Sequence, residues 1–257
     1  MIVCNYIINL DRRTDRWENI NKIINSTCLK NDNFIRFSAL DGQTFNSELK
    51  RLNLDSHPLI NKLKEKNIEF SGGLLGCFLS HISVLQKIID NTDINPSDYV
   101  GIYEDDFIIS GSINNFNDNY TSFKKIDLNE LGVEFLYLGG RFKPNFMCLD
   151  ETVFEQSDNI NIFLRKNTKR PEDYDRTAAA YVVKKSCCQK IIDLVYNNFI
   201  SYDKNNLCSI IAIDCIYPKL NKHIKMFDYF PHFYYTKRDF ESDIQGFINK
   251  NNKITLV

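Results

Sequence analysis

Apolar and polar positions alternate between two periods along this chain. Residues 2–9 (Ile2-Val3-Cys4-Asn5-Tyr6-Ile7-Ile8-Asn9) are β-branched and aromatic with no breaker, which predicts a buried strand. Beyond them Trp17, Ile20, Ile23 and Ile24 recur at helical spacing, with Asp11 or Thr14 as the capping residue. Residues 34–39 predict a second strand, closed by the turn Asp41-Gly42. Residues 46–70 are polar, lysine-rich and weakly periodic, as in a surface segment. After Gly72-Gly73 comes the strongest helical pattern, over 74–90, with Leu75, Phe78, Leu79, Ile82, Leu85, Ile88 and Ile89 on one face. Residues 99–103 and 134–138 predict two more strands, separated by a helix and loop over 110–132. Residues 141–175 are irregular and charged, a candidate flap. A short strand over 178–183, a helix over 185–197, an apolar run 210–214 leading into a short helix, and a partly buried aromatic stretch 227–235 complete the pattern. This succession predicts an α/β fold: one domain over 1–257, built on an open, mainly parallel sheet flanked by helices on both faces.

Composition narrows the partners. Among 257 residues, 32 are basic and 33 acidic, so no electrostatic footprint for nucleic acid or an anionic membrane is expected. The N-terminal apolar run is too short to span a bilayer and lacks the features of a secretory signal, and no other stretch is read as transmembrane. A cytoplasmic protein is expected. The eight cysteines show no C-x-x-C pairing and sit mostly in apolar runs, so reduced, buried thiols are expected rather than disulfides or a zinc cluster.

The chemistry concentrates at Glu104-Asp105-Asp106, three carboxylates directly after an apolar strand. Adjacent carboxylates repel and lose hydration when buried, so this run needs a cleft and a cation to offset it. In extended geometry Glu104 and Asp106 project to one side and Asp105 to the other. Two same-side carboxylates suit a hard divalent ion that also meets phosphate oxygens. The competing reading is a solvated acidic turn.

Several runs together resemble glycosyltransferase family 25, which includes collagen hydroxylysine and lipooligosaccharide galactosyltransferases. Asn9-Leu10-Asp11-Arg12-Arg13-Thr14-Asp15-Arg16 is similar to the family's N-L-x-R-x-x-D-R opening, Ala39-Leu40-Asp41-Gly42 to its A-x-D-G turn, and Gly76-Cys77-Phe78-Leu79-Ser80-His81 to its G-C-x-L-S-H helix. Glu104-Asp105-Asp106 matches an E-D-D element, and Glu241-Ser242-Asp243-Ile244 resembles the closing S-D signature. Leu74 stands where the family often carries Glu.

The resemblance implies a GT-A-like fold, a UDP-sugar donor, Mn²⁺ or another divalent cation, and an inverting transfer of galactose or glucose to a hydroxyl on a glycan or glycosylated protein. It implies UDP-sugar contacts from Asn9, Leu10, Arg16, Asp41, Ser80, His81, Glu104, Asp105 and Asp243. The metal ligands implied are Asp106, Glu104 and His232. Asp214 is the implied catalytic base, with Asp175 and Asp243 as rivals. A sugar-nucleotide nucleotidyltransferase and a degenerate, non-enzymatic binding scaffold are the alternatives. Against the first stands the lack of a glycine-rich phosphate loop near the N-terminus; against the second, the intact acidic triplet.

Overall fold

A computed structural model describes residues 1–51, 60–61, 70–140, 149–155, 161–165, 178–200, 213–236 and 253–254. In chain order the strands are β1 (Ile2–Asn9), β2 (Phe34–Ser38), β3 (Phe70–Ser71), β4 (Tyr99–Glu104), β5 (Phe107–Ile109), β6 (Phe135–Tyr137), β7 (Gly139–Gly140), β8 (Leu149–Glu155), β9 (Asn161–Arg165), β10 (Ala180–Lys184), β11 (Met226–Phe230), β12 (Tyr234–Thr236) and β13 (Lys253–Ile254). The helices are α1 (Thr14–Ser26), α2 (Phe45–Arg51), α3 (Gly72–Asp90), α4 (Ile113–Phe123), α5 (Lys185–Ile200) and α6 (Ile213–Ile216).

Eight strands form one sheet in the order β2-β1-β4-β10-β6-β11-β9-β8. The open α/β sheet flanked by helices is as expected from the pattern. Its parallel character holds where β2, β1 and β4 lie side by side, and again between β6 and β11. Antiparallel pairings of β10 with both β4 and β6, and of β9 with β11 and β8, make the whole sheet mixed. A smaller sheet, β5-β12-β7, continues from the end of β4.

The central strands are buried on both faces, which explains their nearly unbroken apolar runs. Successive residues feed two cores. Tyr6, Ile8, Val100, Ile102, Tyr181 and Val183 face α3 and α5, whereas Ile7, Tyr99, Tyr103, Ala180 and Val182 face α1 and α4. The period of two along each strand is thus the reason that side chains only one residue apart can serve opposite sides of the sheet.

Several local expectations are corrected. Helix α1 starts after Arg13, and no side chain caps it, so neither Asp11 nor Thr14 does so. Part of the polar 46–70 stretch is helical, in α2 and at Ile60 and Asn61, and Phe70 opens β3; parts of the candidate flap are the paired strands β8 and β9, and the rest of both segments lies outside the described residues. Helix α3 is long and apolar enough to cross a membrane, contrary to the sequence reading. It is nonetheless a core helix, with most of its residues buried within the fold. Cys4, Cys28, Cys77, Cys187 and Cys188 are free thiols.

The turn after β2 lies directly on α3. A Cβ at Gly76 would come within 2.5 Å of the Leu40 carbonyl oxygen, and one at Gly42 within 2.1 Å of the Gly72 backbone. Both glycines are required by close backbone approach. Gly76→Ala gains up to about 1 kcal/mol of helix propensity but forces two backbone segments apart, at a cost of about 1–3 kcal/mol. Net destabilisation is expected, read as a melting temperature several degrees below wild type; an unchanged or higher melt contradicts this contact.

Candidate active site

Strands β2, β1 and β4 run parallel, so their carboxyl ends share one edge of the sheet, the usual place for a ligand cleft in an open α/β fold. An open cleft lies there. Leu10 and Arg12 come from the end of β1, Arg16 from α1, Asp41 and Gly42 from the turn after β2, and Gly73, Cys77, Ser80 and His81 from α3. Glu104, Asp105 and Asp106 complete the lining at the end of β4.

The three adjacent carboxylates are handled differently. Asp105 turns toward α1. Its Oδ1 accepts from Arg16 Nη1 at 2.8 Å and its Oδ2 from Asn9 Nδ2 at 2.6 Å. Arg16 and Asp105 are both buried. Burial raises the Asp105 pKa, opposed by the guanidinium charge and these hydrogen bonds. Asn9 also donates to the Arg13 carbonyl and accepts from Arg36 Nε at 2.8 Å. Its side chain ties α1 and β2 to the acidic cluster.

Glu104 faces the other way, toward α3. Its Oε1 lies 3.2 Å from His81 Nε2 and 3.8 Å from Cys77 Sγ. His81 is fully buried, and its Nδ1 is 2.8 Å from the Tyr181 hydroxyl, itself 3.1 Å from the Tyr217 hydroxyl. Burial pushes both tyrosine hydroxyls above their ordinary pKa, which keeps them neutral hydrogen-bonding groups. Ser80 is fully buried too; its hydroxyl donates to the Gly76 carbonyl at 2.7 Å and accepts from the Leu40 N–H at 2.9 Å. Although Ser80 and His81 border the cleft, their polar atoms bond within the protein. Their observed work is to fix the Leu40 turn and Glu104.

Asp106 is different again. Its Oδ1 is buried and has no hydrogen-bond partner among the described residues. Burial and the charges of Glu104 and Asp105 raise its pKa to about 8. An oxygen-only donor pair, Glu104 and Asp106 beside an orphaned carboxylate oxygen, fits a hard divalent cation. His232 is buried near Phe230 and Tyr235 and does not line the cleft. The β5·β12 register puts Thr236 beside Phe107, adjacent to Asp106, and carries His232 toward the far end of that pairing.

At the mouth, Arg12 Nε donates to Asp41 Oδ2 at 2.7 Å, while Asp41 Oδ1 accepts from the Gln43 N–H. Asp41 therefore both closes the turn and holds a cationic lining residue. Asp214 stands half-buried in the first turn of α6, and its charge bears on Cys77, but it does not line the cleft. Asp175 and Asp243 lie outside the described residues. Sequence reasoning assigned no role to Cys77, Tyr181 or Tyr217. The G-C-x-L-S-H run carried a signal for Cys77; nothing local marked the tyrosines, which reach His81 from distant segments.

The family model described as "Glycosyltransferase family 25 (LPS biosynthesis protein)" matches residues 3–216. No curated protein matches the chain. Among solved structures, it is similar to a glycosyltransferase involved in the glycosylation of the major capsid of PBCV-1, at 11% identity, covering 95% of this chain and 97% of that one, with a TM-score of 0.46. That likeness is too loose to carry an argument about the site.

Two acids should respond oppositely to neutralisation. Asp105→Asn breaks the buried ion pair that Asp105 makes with Arg16, and a loss of about 3–5 kcal/mol is expected. Asp106 holds a proton in the fold that the unfolded chain has already released. Its contribution is therefore full below about pH 4 and is lost as pH climbs to about 8. Asp106→Asn should flatten that decline and raise the melting temperature near pH 8 in a chelator-containing buffer. Melts of both variants between pH 5 and 9 check this; a destabilised Asp106→Asn protein at pH 8 contradicts it.

Proposed function

We propose that this chain, which belongs to glycosyltransferase family 25, transfers galactose or glucose from a UDP-sugar to a hydroxyl on a glycan or on a hydroxylysine-type protein side chain, with inversion and with the help of a divalent cation. Family membership carries the reaction class, glycosyl transfer. The cation rests on one observation, the charge of the cleft, whereas the hexose, the acceptor and inversion rest on the family resemblance. Three carboxylates, Asp41, Glu104 and Asp105, line the cleft together with the carboxyl of Asp106, against two guanidinium groups, Arg12 and Arg16. A diphosphate would meet net negative charge there, at low local dielectric, unless a cation accompanied it.

Asp106 and Glu104 would hold that cation, Mn²⁺ by the family resemblance, and it would neutralise the leaving diphosphate. The 19-residue helix α3 begins at the cleft, with Gly73 in its lining, and a helix N-terminus favours phosphate groups. Arg12 is the mouth cation suited to bidentate phosphate contact, and Leu10 and Asp41 are the residues beside which the nucleoside would rest. Arg16, Asn9 and Asp105 act behind this surface by holding the end of β4. His232 is the third ligand by the resemblance alone. The arrangement corresponds to a GT-A-type use of the sheet edge.

Inversion in a single displacement requires a base at the acceptor hydroxyl. Asp214 is our candidate, supported by its place beside Cys77 at the acidic side of α3. Asp243 and Asp175 remain donor-site and base candidates on sequence grounds.

A donor screen that measures UDP release, with and without Mn²⁺, tests the class before an acceptor is known. Metal-stimulated release from UDP-galactose or UDP-glucose is expected, and Asp106→Asn should lower it about a hundredfold or more while the protein stays folded. Normal turnover in folded Asp106→Asn protein removes Asp106 from the ion site. Pyrophosphate formed from UTP and a sugar phosphate would instead indicate a nucleotidyltransferase.

Asp214→Asn separates base from scaffold. A base acts on the acceptor, so kcat should fall strongly with UDP–Mn²⁺ affinity nearly unchanged by calorimetry. Retained turnover, or weakened UDP binding with an unchanged melt, overturns the assignment.

A further inference from the structure

Cys77 and His81 stand one turn apart on the same face of α3, and both approach Glu104 at the end of β4. The Cys77 Sγ–Glu104 Oε1 distance is 3.8 Å, and His81 Nε2 lies 3.2 Å from the same oxygen. All three donor atoms fall within 4.8 Å of one another. For zinc, with bonds of about 2.0–2.1 Å to nitrogen and oxygen and about 2.3 Å to sulfur, tetrahedral edges come to about 3.4 Å for N···O and about 3.6 Å for S···O. Both observed edges lie within about 0.2 Å of these values, and the third needs to close by no more than about 1.2 Å.

The surroundings match as well. A metal-bound imidazole donates its far N–H to an acceptor. His81 Nδ1 already faces the Tyr181 hydroxyl at 2.8 Å, and Tyr181 can in turn donate to Tyr217 at 3.1 Å. The network therefore serves either neutral tautomer of His81, with Nε2–H donating to Glu104 or with Nε2 free for an ion. Cys77, His81 and Glu104 all line the cleft, which leaves an approach from solvent. The negative charges of Glu104 and Asp214 bear on Cys77, a field that favours a cation there.

We propose that Cys77, His81 and Glu104 form a three-ligand site for a thiophilic divalent cation of the zinc class, with its fourth position open to the cleft. Thiolate and imidazole select zinc over manganese and magnesium, so the site is chemically distinct from the oxygen set at Asp106, although Glu104 belongs to both. Binding exchanges the thiol proton, released to solvent, for the ion; no oxidant or reductant is involved. The ion's binding does not depend on the transferase reading, since it requires neither donor nor turnover.

Cobalt(II) titration of the full chain, kept reduced without thiol reagents, tests the site. One ion per chain with a sulfur-to-cobalt charge-transfer band is expected, lost on adding zinc and absent in Cys77→Ser. No such band in wild type, or the same band in folded Cys77→Ser, overturns the proposal. A wild-type measurement covers the case in which the variant fails to fold. Zinc should slow alkylation of Cys77, followed by mass spectrometry of its peptide, by at least about tenfold. An unchanged rate at Cys77 overturns the site equally.

Discussion

Glu104, Asp105 and Asp106 follow one another at the end of a strand buried on both faces, and their mutual repulsion in a poorly hydrated place is the constraint around which the site is arranged. Each carboxylate has a separate solution. Asp105 is neutralised from α1 by Arg16 and held by Asn9. Glu104 is held from α3 by His81. Asp106 keeps a buried oxygen unsatisfied and a raised pKa. Two carboxylates are thus fixed by the protein, and the third keeps an unsatisfied oxygen.

The fold supplies these solutions through the pleat and through close packing. Alternation at the end of β4 sends Glu104 toward the α3 side and Asp105 toward the α1 side, the same alternation that feeds the two cores. Glycine at 42 and 76 lets the Asp41 turn lie on α3, and Ser80 bonds across that contact to the Leu40 N–H. The turn, the helix and the acidic strand end are consequently one rigid corner. His81 belongs to that corner, with Nδ1 against the Tyr181 hydroxyl and Nε2 against Glu104.

Much of this was legible in the sequence because it is encoded locally. The apolar run into three acids marked β4 and its cleft, and the spacing in 74–90 marked α3 to within two residues of its observed start. The opposite side-chain directions of Glu104 and Asp105 followed from strand geometry alone. What was not legible depends on pairing between distant segments. Nothing local announces that β10 runs antiparallel between β4 and β6, or that Tyr181 and Tyr217 meet behind His81. Asn9 shows the same limit: it resembles a ligand residue in its motif, yet Asp105 and Arg36, 96 and 27 positions away, engage its amide.

The proposed cation site makes Asp106 an acid that must give up its proton to the ion, and proton release on ion binding tests this most directly. Calorimetric titration of Mn²⁺ in the presence of UDP, at pH 7 in two buffers of different ionisation enthalpy, gives the number of protons released. With the Asp106 pKa near about 8, most of one proton per ion should leave at pH 7, and the release should fade above about pH 9 and disappear in Asp106→Asn. Binding of Mn²⁺ and UDP with no proton release at pH 7, or with the same release in Asp106→Asn, would contradict the account.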